Sequence, residues 1–183
     1  MAIDLDLFST NNYQHMNKSF LKSVLLSAGL SIIGVAGAIA APASAPIPNR
    51  YYPFVGECPN PSGGAMRVDP WNFYKCECTS YVASKLNRRG VPFTNQYKIP
   101  RWGNASNWSN AAKTAGIPQD DSNVTPRFGD VAWFSSGHVA YVERVLSNGT
   151  IDISEYNYES RHGYGTRNIK TSSVSKFIHF YAP

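Results

Sequence analysis

Cys76-Glu77-Cys78-Thr79-Ser80-Tyr81-Val82-Ala83, running on through Lys85, Arg88 and Arg89 to Gly90, is the stretch of this 183-residue chain on which the fold turns. Tyr81, Val82, Ala83 and Leu86 cluster on one side at helical spacing. A basic last turn followed by glycine is a helix stop signal, so the pattern predicts a helix over 79–89. Asp69-Pro70-Trp71-Asn72 reads as a turn, which puts Cys78 at or just before the first helical turn. A free thiol, with a pKa of about 8.5, is mostly protonated at neutral pH. At a helix start it meets unpaired N–H groups and the positive end of the dipole, both of which favour the thiolate.

Far downstream the pattern changes from helical to β. Val131 to Phe134 and Val139 to Val145 are rich in β-branched and aromatic residues, and Ser147-Asn148-Gly149-Thr150 is a hairpin turn into Ile151-Asp152-Ile153-Ser154-Glu155. Strict pairing about Asn148-Gly149 sets Val142 opposite Glu155 and Ala140 opposite Asn157, so His138, Glu155 and Asn157 share a face. In that register Asn157 is the diagonal neighbour of His138, and Glu155 lies further along unless the turn is longer or a bulge intervenes. A thiol, an imidazole and a carboxylate or amide, in that order, point to thiol hydrolase chemistry. A second helix is expected from about Asn107 to Ala115 and a closing strand from Lys176 to Tyr181, whereas Arg161 to Asn168 reads as a mobile loop near the active edge.

These residues carry a resemblance. Glu77-Cys78-Thr79-Ser80-Tyr81-Val82, Trp102-Gly103-Asn104-Ala105 with Trp108, Pro126-Arg127-Phe128-Gly129-Asp130-Val131, Gly137-His138-Val139-Ala140-Tyr141-Val142-Glu143 and Ile153-Ser154-Glu155-Tyr156-Asn157 resemble, in order and spacing, the CHAP domain. This is the cysteine, histidine-dependent amidohydrolase/peptidase family, within the NlpC/P60 and papain-like group. The resemblance spans about residues 70–160. It implies an α+β, papain-like fold with N-terminal helices packed on an antiparallel sheet, and hydrolysis of amide bonds in bacterial peptidoglycan. The bond would be the muramoyl to L-alanine amide or one in the stem or cross-bridge. Carried over by position, Cys78 is the nucleophile, His138 general base then acid, Glu155 the group that orients the imidazole, and Asn157 an auxiliary. Glu77 departs from the uncharged residue many members have there, and its carboxylate should point away from the sulfur.

Each residue also has a plainer reading. A lone cysteine in a helix is usually a small buried hydrophobe, and a lone His or Glu on a strand is usually solvated. Their joint spacing outweighs that. Trp102, then Trp71 and Tyr156, are candidate substrate-binding residues, while Trp108 and Trp133 read as core. Cys58 and Cys76 are expected to pair, closing a loop that contributes roughly 3 kcal/mol and leaving Cys78 free. A Cys76–Cys78 bridge is poorly placed, Cys58–Cys78 would consume the nucleophile, and no Cys-x-x-Cys spacing suggests zinc. No metal or cofactor is expected.

From Met16 the chain shows lysines, an apolar run from Val24 to Ala40 and then small residues, a secretory signal pattern with cleavage before Ala41. The expected organisation is an extension or misassigned start over 1–15, a signal peptide over 16–40, a Pro/Ala-rich linker over 41–53 and a catalytic domain over 54–183. The net charge of +5 suits an anionic cell wall as the partner. No nucleic-acid motif is present, no stable membrane insertion is expected after cleavage, and the expected state is a secreted monomer. Two other readings stay open: a secreted cysteine amidase on another peptide, and a catalytically silent wall-binding protein.

Overall fold

The computed structural model describes residues 47–49, 51–60 and 64–181. The chain divides into two units, Met1–Ala41 and Pro42–Pro183, and every described residue belongs to the second. The expected extension, signal peptide and first part of the linker lie outside the described residues. The last part of the expected linker is not free of the domain. Tyr52 is 4% exposed, Asn49 Nδ2 donates to Tyr156 Oη at 2.8 Å, and Tyr164 Oη donates to the Ile47 carbonyl at 2.7 Å. The Pro/Ala-rich composition hid the aromatic side chain that holds this segment down. Among the described residues no helix is long and apolar enough to cross a membrane.

Two α-helices precede a six-stranded sheet. Helix α1 (Cys78–Arg88) buries Tyr81, Val82, Ala83 and Leu86, the stripe expected from their spacing, and ends at the basic turn before Gly90, whose φ of 83° needs glycine. A 3-10 turn (Ala105–Asn107) leads into α2 (Trp108–Thr114), which buries Trp108, Ala111 and Ala112. The strands are β1 (Gln119–Asp121), β2 (Val131–Phe134), β3 (His138–Val145), β4 (Thr150–Tyr156), β5 (Tyr164–Lys170) and β6 (Lys176–Ile178). They are antiparallel in the order β1-β6-β2-β3-β4-β5. The fold is therefore α+β, with α1 packed against β3 and β4.

Both faces of the sheet are buried, and the alternation sorts the site. Val131, Val139, Tyr141 and Tyr156 join α1 in one core cluster, whereas Ala132, Ala140, Val142, Ile151 and Ile153 form another on the opposite face. Leu86 is fully buried in the first cluster. Phe93, Trp102, Trp108 and Phe180 extend that cluster with ring centroids 4.9–5.5 Å apart.

The β3–β4 hairpin departs from the expected register in two steps. Leu146 N–H bonds the Thr150 carbonyl, so the loop holds three residues rather than two, and the ladder then pairs Val145 with Ile151 and Arg144 with Asp152. A bulge at Glu143 shifts it once more, setting Val142 opposite Ile153 and Tyr141 opposite Ser154. Beyond the bulge the two one-residue shifts restore the expected faces and slide Glu155 two positions toward His138, whereas Arg144 and Val145, between turn and bulge, change face. The expected loop at 161–168 is also corrected: its second half belongs to β5, paired with β4 from Thr150↔Lys170 to Tyr156↔Tyr164. As the sheet's edge strand, β5 keeps polar residues on its exposed side, which is what obscured it in the sequence.

Candidate active site

Cys78 is the first residue of α1 and is 8% exposed. Cys58 and Cys76 are bridged, with Cα atoms 5.4 Å apart, and Cys78 is the free cysteine among the described residues. The bridge, the φ of 64° at Cys76 and the hydrogen bond from Cys76 N–H to Tyr52 Oη at 2.7 Å fix the chain as it enters the helix. The thiol meets the backbone N–H groups of Val139, Thr79 and Cys78, which favour the thiolate. Burial opposes them and wins, with help from the Glu77 charge, so the thiol is pushed up to about 11. The helix start does not by itself make a thiolate here, contrary to the expectation from sequence.

His138 opens β3 and is 7% exposed. It follows Gly137, whose φ of 94° lets the chain turn sharply from β2, and it precedes the Val139 N–H that faces the sulfur. Alternation sends Val139 toward α1 and His138 to the other face of the sheet, next to it in the chain. Among the described residues no hydrogen bond joins the thiol and the imidazole. His138 Nε2 lies 2.8 Å from Glu155 Oε2. Continuing the Tyr141↔Ser154 register sets Ala140 opposite Glu155 and His138 opposite Asn157, so Glu155 reaches His138 along the diagonal, within range of two long side chains.

Asn157 leaves the strand with a φ of 56° and does not stay beside the imidazole. Its Nδ2 donates to Glu77 Oε2 at 2.7 Å, and its Oδ1 accepts from His162 N–H at 2.8 Å. His162 Nδ1 is 3.3 Å from Glu77 Oε1. Asn157 and His162 thus turn the Glu77 carboxylate toward the 157–163 loop, although its charge is still felt at the sulfur.

Arg167, a residue the sequence reading passed over, completes the sheet side. Its Nε donates to Glu155 Oε1 at 2.6 Å and its Nη2 to Oε2 at 2.9 Å, a fork that matches a carboxylate. Tyr158 lies over the imidazole at 4.8 Å and under the guanidinium at 3.8 Å. Burial pushes the Glu155 carboxyl up, but the His138 and Arg167 contacts outweigh it and hold the group below its ordinary value. An ionised carboxylate only accepts, so Nε2 of His138 carries the proton and Nδ1 holds the lone pair. That is the tautomer of a base for a thiol.

The candidate substrate-binding residues lie elsewhere. Trp102 is fully buried, with its indole N–H donated to the Tyr97 carbonyl at 2.8 Å, and Tyr156 is 2% exposed between Tyr52 and Tyr81. Both are core residues and neither lines the cleft that holds Cys78, because large aromatics pack between helix and sheet. Trp71 packs on Phe54 and lines a separate hollow beside Ser84 and Arg88. The cleft that holds Cys78, about 470 Å³, is walled instead by Met66, Tyr74, Asn104, Ser106 and Gly137. Trp108 is fully buried, as expected, and Trp133 is half-buried with its indole N–H on the Ala105 carbonyl at 2.8 Å. Among the described residues no group of His, Cys, Asp or Glu side chains could hold a metal ion.

Comparison with known proteins places this site among relatives. The model of the CHAP domain family matches residues 68–157, a span that includes Cys78, His138, Glu155 and Asn157. Staphylococcal secretory antigen SsaA of Staphylococcus aureus is 44% identical over 111 residues, covering 56% of this chain and 38% of the relative. Staphylococcal secretory antigen ssaA2 of the same species is 46% identical over 102 residues, covering 54% of this chain and 33% of the relative. A crystal structure of N-acetylmuramoyl-L-alanine amidase from Staphylococcus aureus is similar at 27% identity and a TM-score of 0.47, over 57% of this chain and 30% of that one. The chain spans 33–38% of the length of these two curated relatives.

Proposed function

We propose that this chain is a secreted CHAP-family cysteine hydrolase that cleaves amide bonds of bacterial peptidoglycan. The family match over residues 68–157, which include Cys78, His138 and Glu155, supports the assignment, and the names of the secretory antigens support export. The observation that carries the mechanism is the 2.8 Å contact of His138 with an ionised, Arg167-held Glu155, one residue from the Val139 N–H that faces the Cys78 thiol.

The steps follow from this geometry. With substrate in the cleft, the thiol proton passes to His138 Nδ1 as the sulfur attacks the amide carbonyl carbon. The imidazolium that forms is paired with Glu155 through Nε2–H. The first-turn N–H groups of α1, Cys78 N–H among them, are the donors for the tetrahedral oxyanion. His138 then gives its proton to the departing amine, leaving a thioester. Water attacks the thioester with His138 as base, and the thiol returns. A thiol held near 11 implies that the ion pair forms during attack rather than before it.

Digestion of purified cell walls, followed by mass analysis of released fragments, tests this reading. The wild type is expected to release fragments whose masses report amide hydrolysis, and Cys78→Ala to lower the rate at least about 1,000-fold. Release of nothing by the wild type sinks the peptidoglycan assignment, and equal release by both proteins sinks the thiol mechanism.

A further inference from the structure

The cleft at Cys78 does not end at the thiol. It adjoins a smaller pocket, and the two share Tyr74, Thr79 and Asn104 as a common wall, so that one groove runs from Gly137 past Cys78 to Arg101. The polar groups along it divide into two sets. Asn72 Nδ2 is bonded to Gln96 Oε1 at 2.9 Å, Asn95 Nδ2 to the Asn72 carbonyl at 2.9 Å, and Asn95 Oδ1 accepts from Trp102 N–H and Gly103 N–H at 3.1 and 2.7 Å. These groups build the wall. Among the described residues, by contrast, the side chains of Tyr74, Thr79, Arg101 and Asn104 donate to and accept from no other protein group. Uncommitted donors gathered on one groove are the groups free to bind a ligand.

Charge fixes what they bind and which way it lies. Arg101 is exposed and is the one cation lining this groove among the described residues. At the thiol the lining charge is Glu77, held by Asn157 and His162. A substrate carboxylate is repelled from the Glu77 end and drawn to the Arg101 end, where a guanidinium fork, an amide and two hydroxyls await it. We infer that Arg101 and Asn104 form a carboxylate subsite, so that the preferred substrate is a peptide carrying a free carboxylate near the scissile amide, and the same peptide with that group as a carboxamide is disfavoured. This rests on the hydrolase reading above and deepens it by naming the feature of the stem peptide that is read.

The test measures binding to the inactive Cys78→Ala chain by calorimetry. The probe is the stem peptide L-Ala-γ-D-Glu-L-Lys-D-Ala, prepared with the glutamate α-carboxylate and the C-terminal carboxylate each free or as a carboxamide. One free carboxylate is expected to tighten binding about tenfold over its carboxamide, a preference that weakens as salt is raised. Adding Arg101→Gln, an exposed substitution, should close that gap, and Arg101→Lys should restore part of it. Binding without any carboxylate preference, or a preference that survives Arg101→Gln, overturns the inference. Failure to bind any form while the wild type still digests walls overturns the subsite alone. Failure of both binding and digestion takes the hydrolase reading with it.

Discussion

On the sheet side of the site His138 Nε2, both oxygens of Glu155 and the Arg167 guanidinium are engaged with one another. His138, Glu155 and Arg167 are joined by contacts of 2.6–2.9 Å, Glu155 is 1% exposed, and the carboxylate is held ionised. On the helix side the thiol is buried and raised to about 11, and the groove beside it includes Tyr74, Thr79, Arg101 and Asn104, whose side chains have no hydrogen-bond partner among the described residues. One half is a closed charge network and the other holds a buried thiol beside an open groove. The difference teaches where the work of activation lies. In the proposed reading the sheet supplies an imidazole already held by a carboxylate, and the helix supplies a candidate nucleophile that is a buried thiol at rest.

Breaking the closed half has the largest expected effect. Glu155→Ala leaves the His138 ring unoriented and the Arg167 guanidinium without its carboxylate. Turnover should fall about 100- to 10,000-fold. Stability should fall by about 3 kcal/mol, the lower end for a buried pair, because Arg167 is partly solvated. Denaturant titration beside wall-digestion kinetics measures both. Normal turnover would mean that the diagonal contact does not orient the base.

Arg167→Met is gentler and sharpens the same contrast. Burial alone raises Glu155, and His138 and Arg167 together reverse it, so removing one partner moves the folded-state value upward. The stability that Glu155 contributes is present above the unfolded carboxylate value of about 4.3 and is lost as pH falls through its lower folded value. In the variant that loss is smaller and is complete at a higher pH, and the acid limb of activity should move up. An unchanged limb would show that Arg167 only packs against Tyr158.

Much of this was legible in the sequence. The α1 stripe and the β2–β3–β4 run are local patterns, and periodicity reads local patterns well. The pairing of His138 with Glu155 came from the family resemblance alone, because register about Asn148-Gly149 favoured Asn157 and the contact depends on a bulge at Glu143 and a third loop residue, neither of which leaves a periodic mark. Arg167 was hidden for a related reason. Tyr164-Gly165-Thr166-Arg167-Asn168 reads as loop by composition, and only pairing with β4 makes it a strand that carries the guanidinium to Glu155. Trp102 and Tyr156 show the limit of reading aromatics without a fold: both types line grooves and fill cores, and here the space between α1 and the sheet claimed them. The cleft itself is lined by four separate stretches, around Met66, Cys78, Asn104 and Gly137, which no single window of sequence brings together.

The contrast between an ionised sheet side and a protonated thiol on the helix side rests on the state of one sulfur. Because Cys78 is the free cysteine of the described chain, its rate of alkylation by iodoacetamide as a function of pH reports its titration directly. The rate should stay low through neutral pH and rise with an inflection near 11. An inflection at about pH 7 or below, where a thiolate–imidazolium pair would titrate, would contradict the account.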